Sequence, residues 1–471
     1  MKERCKELPE ELWDSILNRL ALDHDDYRDL QLPSLVCKQF LSITNKIRRK
    51  FVANAYVCEA LCRALERFRN LKEIELSHLG TLSDVNYPVL KIAYSGLDLQ
   101  SLCFYRFPIS PSVDSFRRLG SAMNNLKILR CSEFDSLRDL DLVHITDALP
   151  RLEELDIRCN RNMEDGPWEV PYPKLSDQFV TDAGIEATSG NLQGLRRIDI
   201  SGNYCCSDLS LIALSSNCVL LNEIKCRGCN IIGRGIDWVL SHSTNLTSLQ
   251  AGFHGSSGNS AFPFDDTEIS ATGLRELDIR GSGDKEQLLR SIAKAGIPLE
   301  KLSLTLSLCR GGVTTFLRSC PTLKHLILWG AYQFNDDFMR DICPCLPKME
   351  SIELQGCYSL TATTFLVFAK ECPALSKITL RHGSLGHIQD DFAVNMERNY
   401  RVIYLDLTSN MDLEDKLLKD IVVTCPNLQT LKVWGCSQLT KGCLEEILKC
   451  CPQIKHLKST EYGEILSPNQ N

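Results

Sequence analysis

The chain of 471 residues lacks most features that would narrow its chemistry at once. Its first residues, MKERCKELPEELWDS, contain no apolar h-region, so no secretory signal is expected. No run of 18 or more apolar residues occurs, so neither a spanning helix nor a membrane partner is expected. Basic charge is not in excess: 53 Lys and Arg stand against 60 Asp and Glu, a net charge of −7. That balance argues against nucleic acid as the main partner. No HExxH, no nucleophile–base motif and no Gly-rich phosphate loop is present, and GSGD at 281–284 is too short to be one. No catalytic residue and no cofactor are therefore expected, and the chain reads as a non-enzyme of the nucleus and/or cytoplasm.

Cysteine, by contrast, is plentiful at 23 residues. Without a secretory signal these read as reduced thiols packed as small apolar groups. The C-x-x-C pair Cys226/Cys229 has the spacing of half a zinc site. No second C-x-x-C or His pair follows at zinc-finger distance, so no metal is expected.

The dominant signal is repetition. CPTLKHLILWG from Cys320 is echoed by CPALSKITLRH from Cys372 and CPNLQTLKVWG from Cys425. Leu-x-x-Leu-x-Leu cores begin at about fifteen places from Leu71 to Ile454, mostly 24–28 residues apart, with one step of 43 after Leu152. That period is the leucine-rich-repeat range. Each unit reads as strand, turn, helix, turn. In DDFMRDI, for example, Phe338, Met339 and Ile342 share one helical side. The Cys-Pro that follows should stop the helix, since proline lacks the amide and restricts the residue before it. One unit cannot cover its own apolar face, so such units are stable only as a stack.

With LQGCYSLT, VWGCSQLT and the Cys-Pro sites at 320, 343, 372, 425 and 451, the pattern resembles the cysteine-containing subfamily of leucine-rich repeats. The resemblance implies an α/β fold: a right-handed curved solenoid with parallel strands on the concave side and helices on the convex side. The repeating Leu and Cys residues are read as core.

Residues 6–45 do not fit the repeat. Leu12, Ile16 and Leu20 recur on one helical face, Pro9 sits just inside the expected start, and a second helix is expected from LPSLVCKQFLSITNKI, with Leu35, Val36, Phe40 and Ile43 apolar. From periodicity alone this piece is either a solenoid cap or a docking module. The run LPEELWDSILNRL…VCKQF resembles the F-box in Leu8, Pro9, Leu12, Ile16, Leu17, Leu20, Val36, Cys37 and Phe40. Phe40 stands where a Trp is usual, and the acidic link DHDDYRDL is longer than usual.

An F-box ahead of cysteine-type repeats implies the substrate-recognition subunit of an SCF (Skp–cullin–F-box) ubiquitin ligase. Those nine residues would bind a Skp-type adaptor and, through it, cullin, while the repeats would hold a protein target. The expected division is an F-box at 1–50, a helical connector or cap at 51–70, and a solenoid at 71–471 with an insertion at about 160–178. Two alternatives stand beside it. One is an interaction scaffold without ligase work. The other is a receptor dependent on a hormone or inositol phosphate, as the similar plan of plant auxin and jasmonate receptors implies.

Period-2 alternation sends repeat positions 3, 5 and 7 out from the strand. Position 7 gathers Arg158, Arg227, Arg280, Trp329, Arg381 and Trp434, residue types common at binding hot spots. These six are the candidate target-binding residues. The competing reading pairs each arginine with an acid at position 5, such as Asp156, Asp278 or Asp406. Loops at 161–177 and 253–268 are further candidates for partner contact.

Overall fold

A computed structural model describes residues 12, 13, 15–17, 19, 30–54, 58–77, 84–107, 109–134, 136–159, 179–253, 268–281, 285–306, 310–330, 332, 334–385, 398–460 and 463–466. Leu8, Pro9 and Leu20, and the loops 161–177 and 254–267, lie outside them. The chain divides into two compact units, 1–230 and 231–471. Among the described residues no helix is long and apolar enough to cross a membrane.

Among the described residues the first unit holds seven parallel strands in chain order, each beside the next: β1 (Lys50–Asn54), β2 (Glu73–Ser77), β3 (Ser101–Tyr105), β4 (Ile128–Ser132), β5 (Glu154–Asp156), β6 (Arg197–Asp199) and β7 (Glu223–Ile231). The second holds β8 (Ser248–Phe253), β9 (Glu276–Gly281), β10 (Lys301–Thr305), β11 (His325–Trp329), β12 (Ser351–Gln355), β13 (Lys377–Arg381), β14 (Tyr404–Asp406), β15 (Thr430–Val433) and β16 (His456–Ser459), also parallel and sequential. A last strand, β17 (Gly463–Leu466), turns back antiparallel on β16. Helices connect most successive strands. This is the α/β leucine-rich-repeat solenoid in each unit.

Register is set by hydrophobic pattern. In β2, β11 and β12 burial alternates strictly, with Ile74, Leu76, Leu326, Leu328, Ile352 and Leu354 inward. Consecutive parallel strands align these residues, Leu326 with Ile352 and Leu328 with Leu354, so each leucine is covered by the neighbouring repeat. A fully buried leucine contributes about 1.5–3 kcal/mol, which one repeat alone could not secure. On the helical side Phe338, Met339 and Ile342 are buried together, as their spacing predicts.

The cysteines are part of this wall. Cys320, Cys343, Cys372, Cys425 and Cys451 are buried at helix ends. Cys372, Cys425 and Cys451 take φ near −120° and ψ near +70°, outside the helical region that a following proline disfavours, and Cys218, which precedes Val219, ends its helix in the same way. Cys343 differs from expectation. It keeps helical angles and Pro344 opens a 3-10 turn, Cys343–Cys345, because proline's missing amide costs nothing at a first-turn position.

A second slot, three residues past position 6, holds Cys or Asn. Cys436 Sγ donates to the Leu407 carbonyl at 3.1 Å, and Asn410 Nδ2 donates to the Leu380 and Leu407 carbonyls at 2.8 Å each. Asn203 Nδ2 does the same for Ile157 and Ile200. These side chains add hydrogen bonds to carbonyls at the strand ends, and the Leu407 carbonyl accepts from both Asn410 and Cys436.

Two elements depart from the sequence reading. The stretch 51–70 is not simply a helical connector: β1 pairs in register with β2 before the helix Cys58–Arg67. The Phe51 ring lies 6.3 Å from Phe68, so this strand already shares a core with the repeat that follows. The second N-terminal helix is also divided. A short helix, Gln31–Ser34, ends before Lys38–Ile47 begins, and Cys37 between them is extended (φ −159°, ψ 168°). Its Sγ accepts the Phe40 N–H at 3.4 Å, so the thiol caps the second helix instead of riding within one long helix.

Candidate functional site: two surfaces

The N-terminal helices hold a small core of their own. Leu17, Leu30, Ile43 and Ile47 are buried together with Trp13 packed against them, and the Trp13 and Phe40 rings lie 4.6 Å apart. The helix Lys38–Ile47 is tied to the first repeats by polar contacts: Asn70 Nδ2 donates to the Lys46 carbonyl at 2.9 Å, and Arg67 Nε donates to Asn45 Oδ1 at 2.9 Å. The core is too small to use all the apolar residues. Leu12, Ile16, Leu32, Leu35 and Val36 remain between 42 and 76% exposed. Five large apolar side chains in so short a segment make a surface that calls for cover.

The nine residues read from the F-box likeness therefore fall into three groups. Leu12, Ile16, Val36 and Cys37 are exposed. Phe40 is half-buried against Trp13, and Leu17 is core, so an adaptor could reach Leu17 only through its neighbours. Leu8, Pro9 and Leu20 lie outside the described residues. Leu32 was absent from the reading, and Leu35 was read only as an apolar helix residue. The signal for both was present in LPSLV, but a continuous helix would have placed these side chains differently.

The outward strand faces carry the second set. In the second unit Arg280 lies over the Trp329 ring, 4.8 Å from its centre, and its Nε donates to Asp278 Oδ1 at 3.2 Å. Trp329 is half-buried, and its Nε1–H meets no acceptor among the described residues. Arg381 donates from Nη2 and Nε to Asp406 Oδ2 at 2.6 and 3.1 Å, and Nη1 lies 4.0 Å from Glu353. Trp434 is 51% exposed. In the first unit Arg158 Nε lies 3.4 Å from Asp156 Oδ2, and Arg227, at repeat position 7 on β7, is half-buried. Arg158, Arg280 and Arg381 thus each engage a position-5 acid while Trp434 stays open.

Position 5 is deeper than simple alternation implies. Asp156, Asp278, Thr379 and Asp406 are all buried although their strands point them outward. Longer neighbours fold over them, Arg381 and Lys432 over Asp406 above all. Asp156, Asp199 and Asp406 also turn one oxygen to the N–H two residues on, at 3.0, 2.9 and 3.1 Å. Burial alone would raise Asp406, but the hydrogen bonds from Arg381 and Thr408 outweigh it and hold the carboxyl below its usual range. Asp156 is pushed the other way, by burial first and then by the Asp199 charge beside it.

Neither surface has the make-up of a reaction centre. Burial pushes the thiols up, Cys425 and Cys436 to about 11 and Cys357 to about 12, which removes their nucleophilic form near neutrality. Cys229 Sγ is spent on the Ile200 carbonyl at 3.2 Å. Among the described residues no group of three or more His, Cys, Asp or Glu is placed to hold a metal ion.

No protein-family model matches the chain. Among curated proteins it is similar to the BTB/POZ domain-containing protein FBL11 of Arabidopsis thaliana, 23% identical over 417 residues, 87% of this chain and 37% of that protein. It is also similar to the antagonist of mitotic exit network protein 1 of Eremothecium gossypii, 26% identical over 136 residues, 28% of this chain and 34% of that protein. The chain spans about a third of the length of these curated relatives. Among solved structures it is similar to a chain in the crystal structure of the Rad7 and Elc1 complex in yeast, at 17% identity and a TM-score of 0.49, covering 93% of this chain and 96% of that one.

Proposed function

We propose that this chain, which resembles F-box/leucine-rich-repeat proteins in its repeats and its N-terminal motif, is a non-catalytic substrate receptor of a cullin-type ubiquitin ligase, specifically the recognition subunit of an SCF complex. Residues 1–50 act as the F-box, 51–70 as connector and 71–471 as the target-holding solenoid. The receptor would act in the nucleus and/or cytoplasm, with no cofactor of its own.

The observation that carries this reading is the exposed group Leu12, Ile16, Leu32, Leu35 and Val36. It lies on segments packed through Leu17 and Leu30 against Ile43 and Ile47 of the helix Lys38–Ile47, which Asn70 and Arg67 tie to the repeats, so a partner docked there is held near the adjoining strands. The chain would contribute proximity and not bond-making: a target held on the repeats meets the ubiquitin-bearing enzyme at high effective concentration. The target surface would draw on Arg158, Arg227, Arg280, Trp329, Arg381 and Trp434, with the exposed indole of Trp434 as an apolar anchor.

The test is capture of a purified Skp-type adaptor by the full chain, beside a variant carrying Leu12→Ala, Ile16→Ala and Val36→Ala. The reading expects binding by the parent and its loss in the variant. An intact, folded chain that ignores the adaptor would instead make the first fifty residues a solenoid cap and the protein a scaffold.

A further inference from the structure

We propose that the strand face of the first unit, from β3 to β6, docks an extended Asp- and Glu-rich segment of a partner protein. The proposal rests on the receptor reading above and adds the chemistry of what this face takes.

The observation is the depth at which opposite charges sit. Cations and carboxylates occur on this face in nearly equal number, so composition shows no bias. Exposure does. Arg106, Arg130, Arg158 and Arg197 keep between 38 and 50% of their side chains in solvent, whereas their partners Glu133, Glu154 and Asp156 keep 9–12%. An approaching molecule meets guanidinium first and carboxylate second. At β1 and β2 this layering is absent, because Lys50, Glu73 and Glu75 are about equally exposed.

Glu154 on β5 shows how the layer is held. Its Oε1 accepts from Arg130 Nε at 2.9 Å with Nη2 2.7 Å away, and its Oε2 accepts from Arg197 Nε at 2.7 Å with Nη2 2.6 Å away. One carboxylate therefore fixes two guanidiniums, on β4 and β6, while Asp156 and Asp199 lie in register beside Arg130 on the neighbouring strands. Neither arginine forms a second salt bridge among the described residues. The two hydrogen bonds hold Glu154 low despite its burial, so the carboxylate stays charged and the arginines stay in place.

The next pair is also preset. Arg106 Nε donates to Glu133 Oε2 and Tyr105 Oη donates to Glu133 Oε1, both at 2.7 Å, with the Arg106 guanidinium 5.0 Å from the Tyr105 ring centre. Arg106 and Glu133 both sit at positive φ, 58° and 60°, a conformation few side-chain-bearing residues adopt without such support. Guanidiniums fixed in advance lose little freedom when an anion arrives.

The occupant follows from charge and span. Three strand steps cover about 14 Å, the length of about four residues of extended chain. A row of separate guanidiniums along that length suits separate carboxylates. A nucleic acid would bring far more negative charge to a chain of net charge −7.

The test uses the full chain and fluorescein-labelled peptides of about twelve residues, read by anisotropy. The probes alternate Glu with Gly, Gln with Gly, or phosphoserine with Gly. The Glu peptide is expected to bind at least about tenfold tighter than the Gln peptide and to weaken as salt rises from about 50 to 300 mM. Arg130→Gln with Arg197→Gln should abolish the difference, and Arg117→Gln, on the helical side, should not. Should the double variant fail to fold, Arg158→Gln alone should still reduce Glu-peptide binding several-fold. Equal binding of Glu and Gln peptides, binding of phosphoserine without Glu, or full retention in a folded double variant would each overturn the proposal. Adaptor capture is measured on the same samples. Lost peptide selectivity with intact capture sinks only this inference, and the converse sinks only the receptor reading.

Discussion

The carboxylate of Asp139 accepts both the backbone N–H and the hydroxyl of Thr181, at 2.7 and 2.6 Å, across 42 residues of sequence. Asp139 sits in the first turn of one helix, and Thr181 is the N-cap of the next. The same clasp recurs between Asp182 and Ser207, Asp336 and Thr361, and Asp415 and Thr440. Each of these four aspartates puts a negative charge in a first helical turn, where the dipole favours one, and ties it to the residue that opens the next helix, its N-cap at Thr181, Ser207 and Thr440.

The clasp should be worth measurable stability. Asp336→Ala strands the Thr361 N–H and hydroxyl in a half-buried setting and should cost about 1–3 kcal/mol. A urea unfolding midpoint checks this. Thr361→Val should cost less, and the double variant should fall well short of the sum because the two residues share one interaction.

Titration should divide the buried aspartates. Asp406 has a lowered pKa, so its stabilisation is present above the unfolded value of about 3.9 and is lost as pH falls through the folded value. Asp406→Asn should therefore destabilise at pH 7 by about 1–3 kcal/mol and matter little in strong acid. Asp156 has a raised pKa, so its contribution is full below the unfolded value and is lost as pH rises through the folded one. Asp156→Asn should be neutral or stabilising at pH 7. Urea midpoints of each variant against the parent across pH 3–8 give the comparison, and like-signed changes at pH 7 would refute it.

Thiol reactivity should follow burial. Among the described cysteines Cys37 and Cys450 are exposed and should react ahead of the buried ones with a thiol-specific reagent at pH 8. Cys357, Cys425 and Cys436 should react only as fast as their repeats open. Mass mapping after a brief exposure reports the order.

The N-terminal segment should separate stability from docking. Leu17→Ala opens a cavity in the small helical core and should cost about 2–5 kcal/mol. Leu35→Ala with Val36→Ala changes exposed side chains, so stability should hold within about 0.5 kcal/mol per site while adaptor capture falls. A variant that lost both together would place these two residues in the core.

Much of this was legible beforehand. The Leu-x-x-Leu-x-Leu spacing identified the strands and their inward leucines, and the helix around Phe338 and Met339 lay where its period put it. β1 was missed because KFVAN precedes the first full leucine core and pairs only through contact with β2. The helix break at Cys37 was missed because a thiol is a weak capping signal beside an apolar run.

What the sequence by itself determined is periodicity: which residues face inward, how repeats stack, and that an unrelated helical piece stands in front. Periodicity says which side a residue faces and nothing about how deep it lies there. Depth comes from neighbours about 25 residues away in sequence, such as Arg381 over Asp406 or Arg130 and Arg197 over Glu154. Only the stacking of strands about 4.8 Å apart brings those side chains together. It is that stacking which turns an evenly charged face into one with arginine outermost.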